Sequence, residues 1–423
     1  MVAVQSVPNA ATITREVLDN GVTILVYENF TSPSVVLTGS FHAGSIYDPG
    51  DKTGLAALTA SALMMGTQSH DFDALHARLE DIGADLGIGA ATHRASFNGK
   101  ALAEDLPVLV DLLAQSLRTP VFPEDHVERL RGERITWLQY SQQDTRWLAA
   151  RQFREMLYPP HHPYHYSTRG TLETLPTFTL EDVRTFHRHH YGPRGLVIAI
   201  VGAVKAEKAV TIVRQALGDW QNPEQPPFAT LPDIKAPVRS VRTAETVAGK
   251  TQTDVVIGTL GPSRFAEDYM AASLANSVLG VFGMMGRVGD VVREREGMAY
   301  YAYSRLEGGT GPGSWSISAG VNPLNLERAI DLATQEIRRL TEEPISAEDL
   351  ADNQAYFTGR LPLQLESNEG LAGTLHSMEI FELGLDYLLR YRDMVYSLTV
   401  DAVQQAARRY LNPDALVMGV AGP

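Results

Sequence analysis

The 423-residue chain contains no cysteine, which removes disulfides, thiolate metal ligands and cysteine nucleophiles together. It is also short of positive charge. Thirty-six Lys and Arg stand against 50 Asp and Glu, a formal net charge of -14, so neither nucleic acid nor an anionic membrane surface is an expected partner. Long apolar runs are missing: the longest, Leu196 to Val201, stops at Gly202 and reads as a buried strand, not a membrane span. The N-terminal residues show no basic segment leading into an apolar one, so no signal peptide is visible. A cytoplasmic location is the expectation. The bacterial periplasm stays open, because many exported bacterial proteins also lack cysteine. No G-x-S-x-G elbow, Rossmann fingerprint or P-loop is present, which leaves serine-hydrolase and nucleotide chemistry without a sequence basis. The glycine-rich pieces Gly280–Gly286 and Gly308–Gly313 lack the P-loop order and read as tight turns or a flexible lip.

At this length one compact core is not expected, and the chain shows how it divides. At an offset of 220 residues, Leu109–Arg118 matches Ala329–Arg338 through Asp111/Asp331, Leu112/Leu332, Gln115/Gln335 and Arg118/Arg338. The same offset aligns Thr179/Thr399, Val183/Val403, Pro193/Pro413, Leu196/Leu416 and Gly202/Gly422. One unchanged offset in separated blocks predicts two homologous halves. A proline-dense stretch lies between them and reads as an extended connector. The expected domains are therefore residues 1–221, a linker at 222–237, and residues 238–423. Each half opens with strand patterns, such as Gly21–Glu28 and Thr253–Gly261, followed by helical periodicity such as Leu106, Leu109, Val110, Leu113 and Leu117. The fold class expected is α+β, with helices layered on a sheet in each half.

Residues 54–67, GLAALTASALMMGT, have a helical pattern over Leu55–Met65 but offer no metal ligand and no general base. The frame around them, GSIYDPGDKTGLA before and MGT after, resembles that of the insulinase-like (pitrilysin-type) zinc peptidases. In active members the run after GLA carries the inverted zinc motif H-x-x-E-H. Laid onto this sequence, its two His fall on Ala57 and Ser61 and its Glu on Ala60. The i,i+4 spacing survives, yet alanine has no lone pair to give and a serine hydroxyl is a poor zinc ligand at neutral pH. The family's third ligand is a Glu some seventy to eighty residues further on. Alignment puts Gln139 or Tyr140 there, while nearby Glu128 and Glu133 read as solvated helix charges. The resemblance spans roughly Ile13 to Gly422 and implies two α/β-roll domains, each a mixed or antiparallel sheet with helices on one face. It resembles most the short bacterial subunit that lacks the zinc motif.

A second segment, LGVFGMMGRVGDVVREREGMAYY, resembles the family's C-terminal block that supplies an Arg and a Tyr to the catalytic cleft. The family spacing gives Arg293 and Tyr300, with Arg295 and Tyr301 as competitors. A guanidinium and a phenol are suitable donors to a substrate carbonyl as it gains negative charge. The resemblance thus implies a non-catalytic subunit with no zinc of its own. It would lend Arg293 and Tyr300 to a homologous partner that carries zinc on an intact H-x-x-E-H, in a closed chamber that degrades peptides. A homodimer is a possible state of the chain purified alone. The alternative is a structural or assembly protein of the same fold with no part in proteolysis.

Two histidine clusters invite a metal reading, at Pro159–Tyr166 and at His187, His189 and His190. The first reads as a turn that packs. The second sits at a helix C-terminus, where cationic side chains are favoured, and no carboxylate at matching spacing completes a ligand set. An independent hydrolase built on either cluster is the third possibility, tested by metal analysis.

Overall fold

A computed structural model describes residues 7–423, which form two compact units, each discontinuous in sequence. The first comprises residues up to 137, 167–230 and 361–390; the second comprises 138–166, 231–360 and 391–423.

The first unit is built on six strands: β1 (Ile13–Val17), β2 (Thr23–Glu28), β3 (Ser34–Phe41), β4 (Asp85–Ala90), β5 (Ala95–Leu102) and β6 (Val197–Gly202). Their order is β1-β2-β6-β3-β5-β4. Only β2 and β6 run parallel; every other neighbouring pair is antiparallel. All six residues of β6 are buried, as its unbroken apolar run requires of a strand covered on both faces. On one face Gly99 of β5 lets Leu109 approach, since a Cβ there would stand 3.2 Å from the leucine methyls. This seats the Leu106–Arg118 helix, whose apolar positions recur at three and four residues.

The second unit carries β7 (Val241–Thr246), β8 (Thr253–Leu260), β9 (Ala299–Leu306), β10 (Ser314–Val321) and β11 (Val417–Gly422), in the order β7-β11-β8-β10-β9. Here β7 and β11 are the parallel pair, so order and direction follow those of the first sheet with β1 removed. Alternation along β8 sends Val255 and Ile257 into one core with the helices Tyr269–Gly280, Leu326–Glu342 and Val400–Tyr410, and Val256 and Leu260 into another. The stretch Tyr269–Arg295 is long and apolar enough to cross a membrane by length and composition. It is broken at Val281, however, and Ala272, Leu274, Ala275 and Leu279 are core residues of this unit.

Each sheet's second face is covered by one helix from the opposite half of the sequence. Helix Thr145–Leu157 packs on β11, β8 and β7, burying Leu148, Ala149, Phe153 and Leu157 against Val256, Leu260, Val417 and Ala421. Gly419 allows the approach: a Cβ there would lie 2.3 Å from the Ala149 carbonyl oxygen. In return, helix Asn368–Ile380 packs on β6 and β3, with Leu371, Ala372, Leu375 and Met378 buried. His376 Nε2 lies 2.7 Å from Ser40 Oγ, and Asn29 Nδ2 donates to Asn368 Oδ1 at 2.7 Å. The proline-dense connector holds no helix or strand from 221 to 240, and unit membership changes within it at 230/231. The four additional changes follow from the exchanged helices.

Candidate functional site

The Leu55–Ala62 helix, here the motif helix, is held by the frame that precedes it. Asp48 accepts the Gly54 N–H and the Ala56 N–H, both at 2.7 Å, and so caps the orphan donors of the first turn. Burial pushes its carboxyl up to about 7 against those backbone bonds. Gly54 has φ +100°, and a Cβ there would lie 2.6 Å from Gly170 Cα, so the turn tolerates little but glycine. All residues of the motif helix except Ser61 are buried. A 3-10 turn, Leu63–Met65, completes the stretch the sequence predicts as helix.

Ala57 and Ala60 are closed against the core, and Ser61 Oγ donates to the Ala57 carbonyl at 3.1 Å. Opposite them stands a residue that sequence spacing did not single out. Arg134, on the helix Glu124–Ser141, donates through Nη2 to the Ala57 carbonyl at 2.8 Å and to Ser61 Oγ at 2.7 Å. Burial, with the Arg169 guanidinium adding to it, lowers the Arg134 pKa to about 10, which leaves it fully cationic at neutral pH. Gln139 and Tyr140 are exposed instead of facing the motif helix. Glu128 pairs with Arg131 and Glu133 pairs with Arg129 at 3.1 Å, as surface contacts one turn apart.

This donor set does not fit zinc. It offers a methyl, a hydroxyl already in use and a carbonyl already in use, beside a fixed positive charge. Among the described residues no group of three His, Asp or Glu is placed to hold a metal.

Arg293 and Tyr300 lie in the other unit. Arg293 sits in the last turn of a π-helix, Gly289–Arg295, with Nε 3.5 Å from Glu294. Tyr300 is the second residue of the edge strand β9 and is 74% exposed. No hydrogen bond joins the two among the described residues. Strand alternation turns Tyr301 the other way. Its hydroxyl donates at 2.5 Å to Asp254, which also accepts from Thr145 Oγ1 at 2.5 Å. Arg146 stacks on the Tyr301 ring at 4.3 Å and donates to the Tyr303 hydroxyl at 3.0 Å. Tyr301 is therefore committed to tying β9 and the Thr145–Leu157 helix to β8. Arg295 is committed to Asp290 at 2.5 Å. The Tyr300 hydroxyl faces solvent with no hydrogen-bond partner among the described residues.

The histidine clusters are packing elements in this structure. His162 is buried, stacks on Tyr158 with centroids 5.1 Å apart, and its Nδ1 accepts the Tyr164 N–H at 3.1 Å. His187 Nε2 lies 2.9 Å from the Leu117 carbonyl, His190 packs on Phe186 at 4.4 Å, and His189 sits 3.1 Å from Glu224. A further buried group centres on Arg94. It donates to Ser40 Oγ at 2.5 Å and to the carbonyls of Ser40 and Gly195, and lies 2.7 Å from His42 Nε2.

These imidazoles make stability pH-dependent. Burial, aided by Arg94, lowers His42 to about 3 and His376 to about 4, and burial lowers His187 and His190 to about 4. An ordinary imidazole in the unfolded chain takes its proton near 6.5. Between about pH 6.5 and 4 the unfolded state therefore binds protons the folded state refuses, and stability falls as pH falls. Asp48 works in the opposite sense: its raised pKa favours folding below its unfolded value and loses that contribution as pH rises toward 7. Four imidazoles against one carboxyl leave about three protons, a slope of at most about 4 kcal/mol per pH unit. Denaturant unfolding at pH 7.5, 6.0 and 5.0 should show the midpoint dropping at each step; a midpoint that is level or rises toward pH 5 contradicts this balance.

Two family descriptions match the chain: "Insulinase (Peptidase family M16)" over residues 24–162 and "Peptidase M16 inactive domain" over residues 177–356. An uncharacterized zinc protease of Streptomyces coelicolor is 26% identical over 421 residues, covering 96% of this chain and 90% of its own length. A crystal structure titled as the peptidase M16 inactive domain from Pseudomonas fluorescens superposes with a TM-score of 0.89 at 28% identity, covering 97% of this chain and 98% of that one. A probable mitochondrial-processing peptidase subunit beta of Arabidopsis thaliana is 24% identical over 47% of this chain and 37% of its own length.

Proposed function

The chain belongs to the insulinase (M16) peptidase family, and from that membership we propose that it is a zinc-less subunit which supports peptide cleavage by a homologous, zinc-bearing partner. The observation that carries this reading is the motif helix. Its frame, cap and glycine turn are kept, while the ligand positions hold Ala57, Ala60 and Ser61 and a guanidinium lies across them. A helix kept so carefully after losing its ligands is explained by a surface that still meets peptide, or a partner, without performing the hydrolysis.

In this reading zinc resides on the partner's H-x-x-E-H, and this chain's Tyr300 hydroxyl and Arg293 guanidinium donate to the carbonyl under attack and to substrate backbone. Tyr300 supports that role because its side chain is exposed and its hydroxyl has no hydrogen bond among the described residues, in contrast to the half-buried, hydrogen-bonded Tyr301. The test mixes the chain with a zinc-bearing homologue from its native source and follows cleavage of a quenched fluorescent peptide. Tyr300→Phe and Arg293→Ala in this chain are each expected to lower turnover at least tenfold while leaving association unchanged. Undiminished turnover with both variants removes the carbonyl-donor role and favours a purely structural subunit.

A further inference from the structure

Arg134 and Arg169 bring two guanidinium groups to the motif helix, and no carboxylate pairs with either among the described residues. In a chain of net charge -14, two neighbouring guanidiniums without a carboxylate beside one buried helix call for an explanation. Nearby cations do find carboxylates: Arg129, Arg131 and Lys52 pair with Glu133, Glu128 and Asp182.

Three contacts build the site. Arg134 is anchored on one side only, through Nη2 to Ala57 and Ser61, which leaves its Nη1 and Nε donors without a protein acceptor among the described residues. Trp137 lies one turn along the same helix, hence on the same face as Arg134, and the Arg169 guanidinium stacks on its indole at 4.5 Å. The loop that carries Arg169 is fixed in turn, because Gly170 closes directly on Gly54 and on the Thr53 carbonyl at the start of the motif helix. A half-buried fork, a second cation held by an aromatic ring and a partly exposed indole surface thus converge beside the emptied ligand positions. With Nη2 in use, Arg134 offers a carboxylate single N–H contacts from Nη1 or Nε, and the shortage of water around it strengthens its bond. The Arg169 guanidinium presents a planar fork that matches a carboxylate in two-point geometry.

We propose that Arg134 and Arg169 form a carboxylate-binding site over the emptied helix, which takes the negatively charged group of a bound peptide, its C-terminal carboxylate or an acidic side chain. The site rests on the reading that this chain handles peptides. It replaces a metal that would polarise a carbonyl with a fixed cation that holds an anion, so it positions substrate and performs no bond-breaking step.

The test is calorimetric titration of the full chain with three versions of one otherwise uncharged nonapeptide: free C-terminal acid, C-terminal amide, and amide with one internal Glu. The free acid is expected to bind at least tenfold more tightly than the plain amide. Arg134→Met should bring the acid down to the affinity of the amide without altering the amide. Arg169→Ala, on an exposed loop where folding is not at stake, should weaken the acid severalfold. Tight binding of the Glu-containing amide assigns the site to carboxylates in general, and tight binding of the acid alone assigns it to the peptide terminus. Equal affinity for acid and plain amide overturns the carboxylate site while leaving peptide binding standing. No binding of any peptide overturns both.

Discussion

Residues 1–221 produced alone should fail to fold, and residues 238–423 should fail with them, although each contains a complete sheet. The first fragment lacks the helix Asn368–Ile380 and so exposes the β3 and β6 face where Ser40 meets His376. The second lacks Thr145–Leu157 and exposes Val256, Leu260, Val417 and Ala421. Fully burying a large apolar side chain contributes roughly 1.5–3 kcal/mol. Four such residues on each missing helix amount to about 5–10 kcal/mol after discounting the alanines, comparable to the whole stability of a domain. Both fragments should show little cooperative unfolding by circular dichroism, and co-expression of 1–221 with 238–423 should restore it, because each fragment carries the helix that covers the other's sheet. Two independently stable fragments with sharp melts would show that the exchanged helices are dispensable.

The second large effect concerns metal. Ala57→His, Ala60→Glu and Ser61→His together recreate H-x-x-E-H, yet the triple variant is expected to bind no stoichiometric zinc at micromolar concentration. The Arg134 guanidinium would face the ion at contact distance. At about 4 Å and an effective dielectric near 20, a single against a double positive charge costs about 8 kcal/mol. Adding Arg134→Glu removes the repulsion and supplies a third ligand, so the quadruple variant should bind zinc many orders of magnitude more tightly. Competition with a chromophoric chelator reads the affinity, and thermal melts separate lost metal from lost fold, since Ala57 and Ala60 are buried. Stoichiometric zinc in the triple variant would show that Arg134 does not hold the cation position.

Much of the architecture is legible in the sequence because it follows from local pattern. The apolar run Leu196–Val201 becomes the central strand β6, buried on both faces, and the proline-dense stretch is irregular chain. The emptied ligand positions are legible from the frame around them, since Asp48 and Gly54 are retained for capping and turning the helix. Arg134 is not. The helix Glu124–Ser141 carries charge on nearly every face, so periodicity does not say which side meets the motif helix, and alignment by spacing pointed to Gln139 or Tyr140, which are exposed. The helix exchange is equally hidden. The apolar face of Thr145–Leu157 states that it packs on a sheet, not which one. Tyr300 and Tyr301 are distinguished only by strand alternation, which becomes decisive once Asp254 is seen to take the Tyr301 hydroxyl.

The proposal that this chain cuts nothing by itself and works through a zinc-bearing homologue is decided by the initial rate of peptide cleavage at a fixed concentration of that homologue as this chain is added. No cleavage by this chain alone is expected, with a rate that rises at least tenfold and saturates at one chain per homologue. A rate unchanged by the addition, or cleavage by this chain alone that a zinc chelator abolishes, would contradict it.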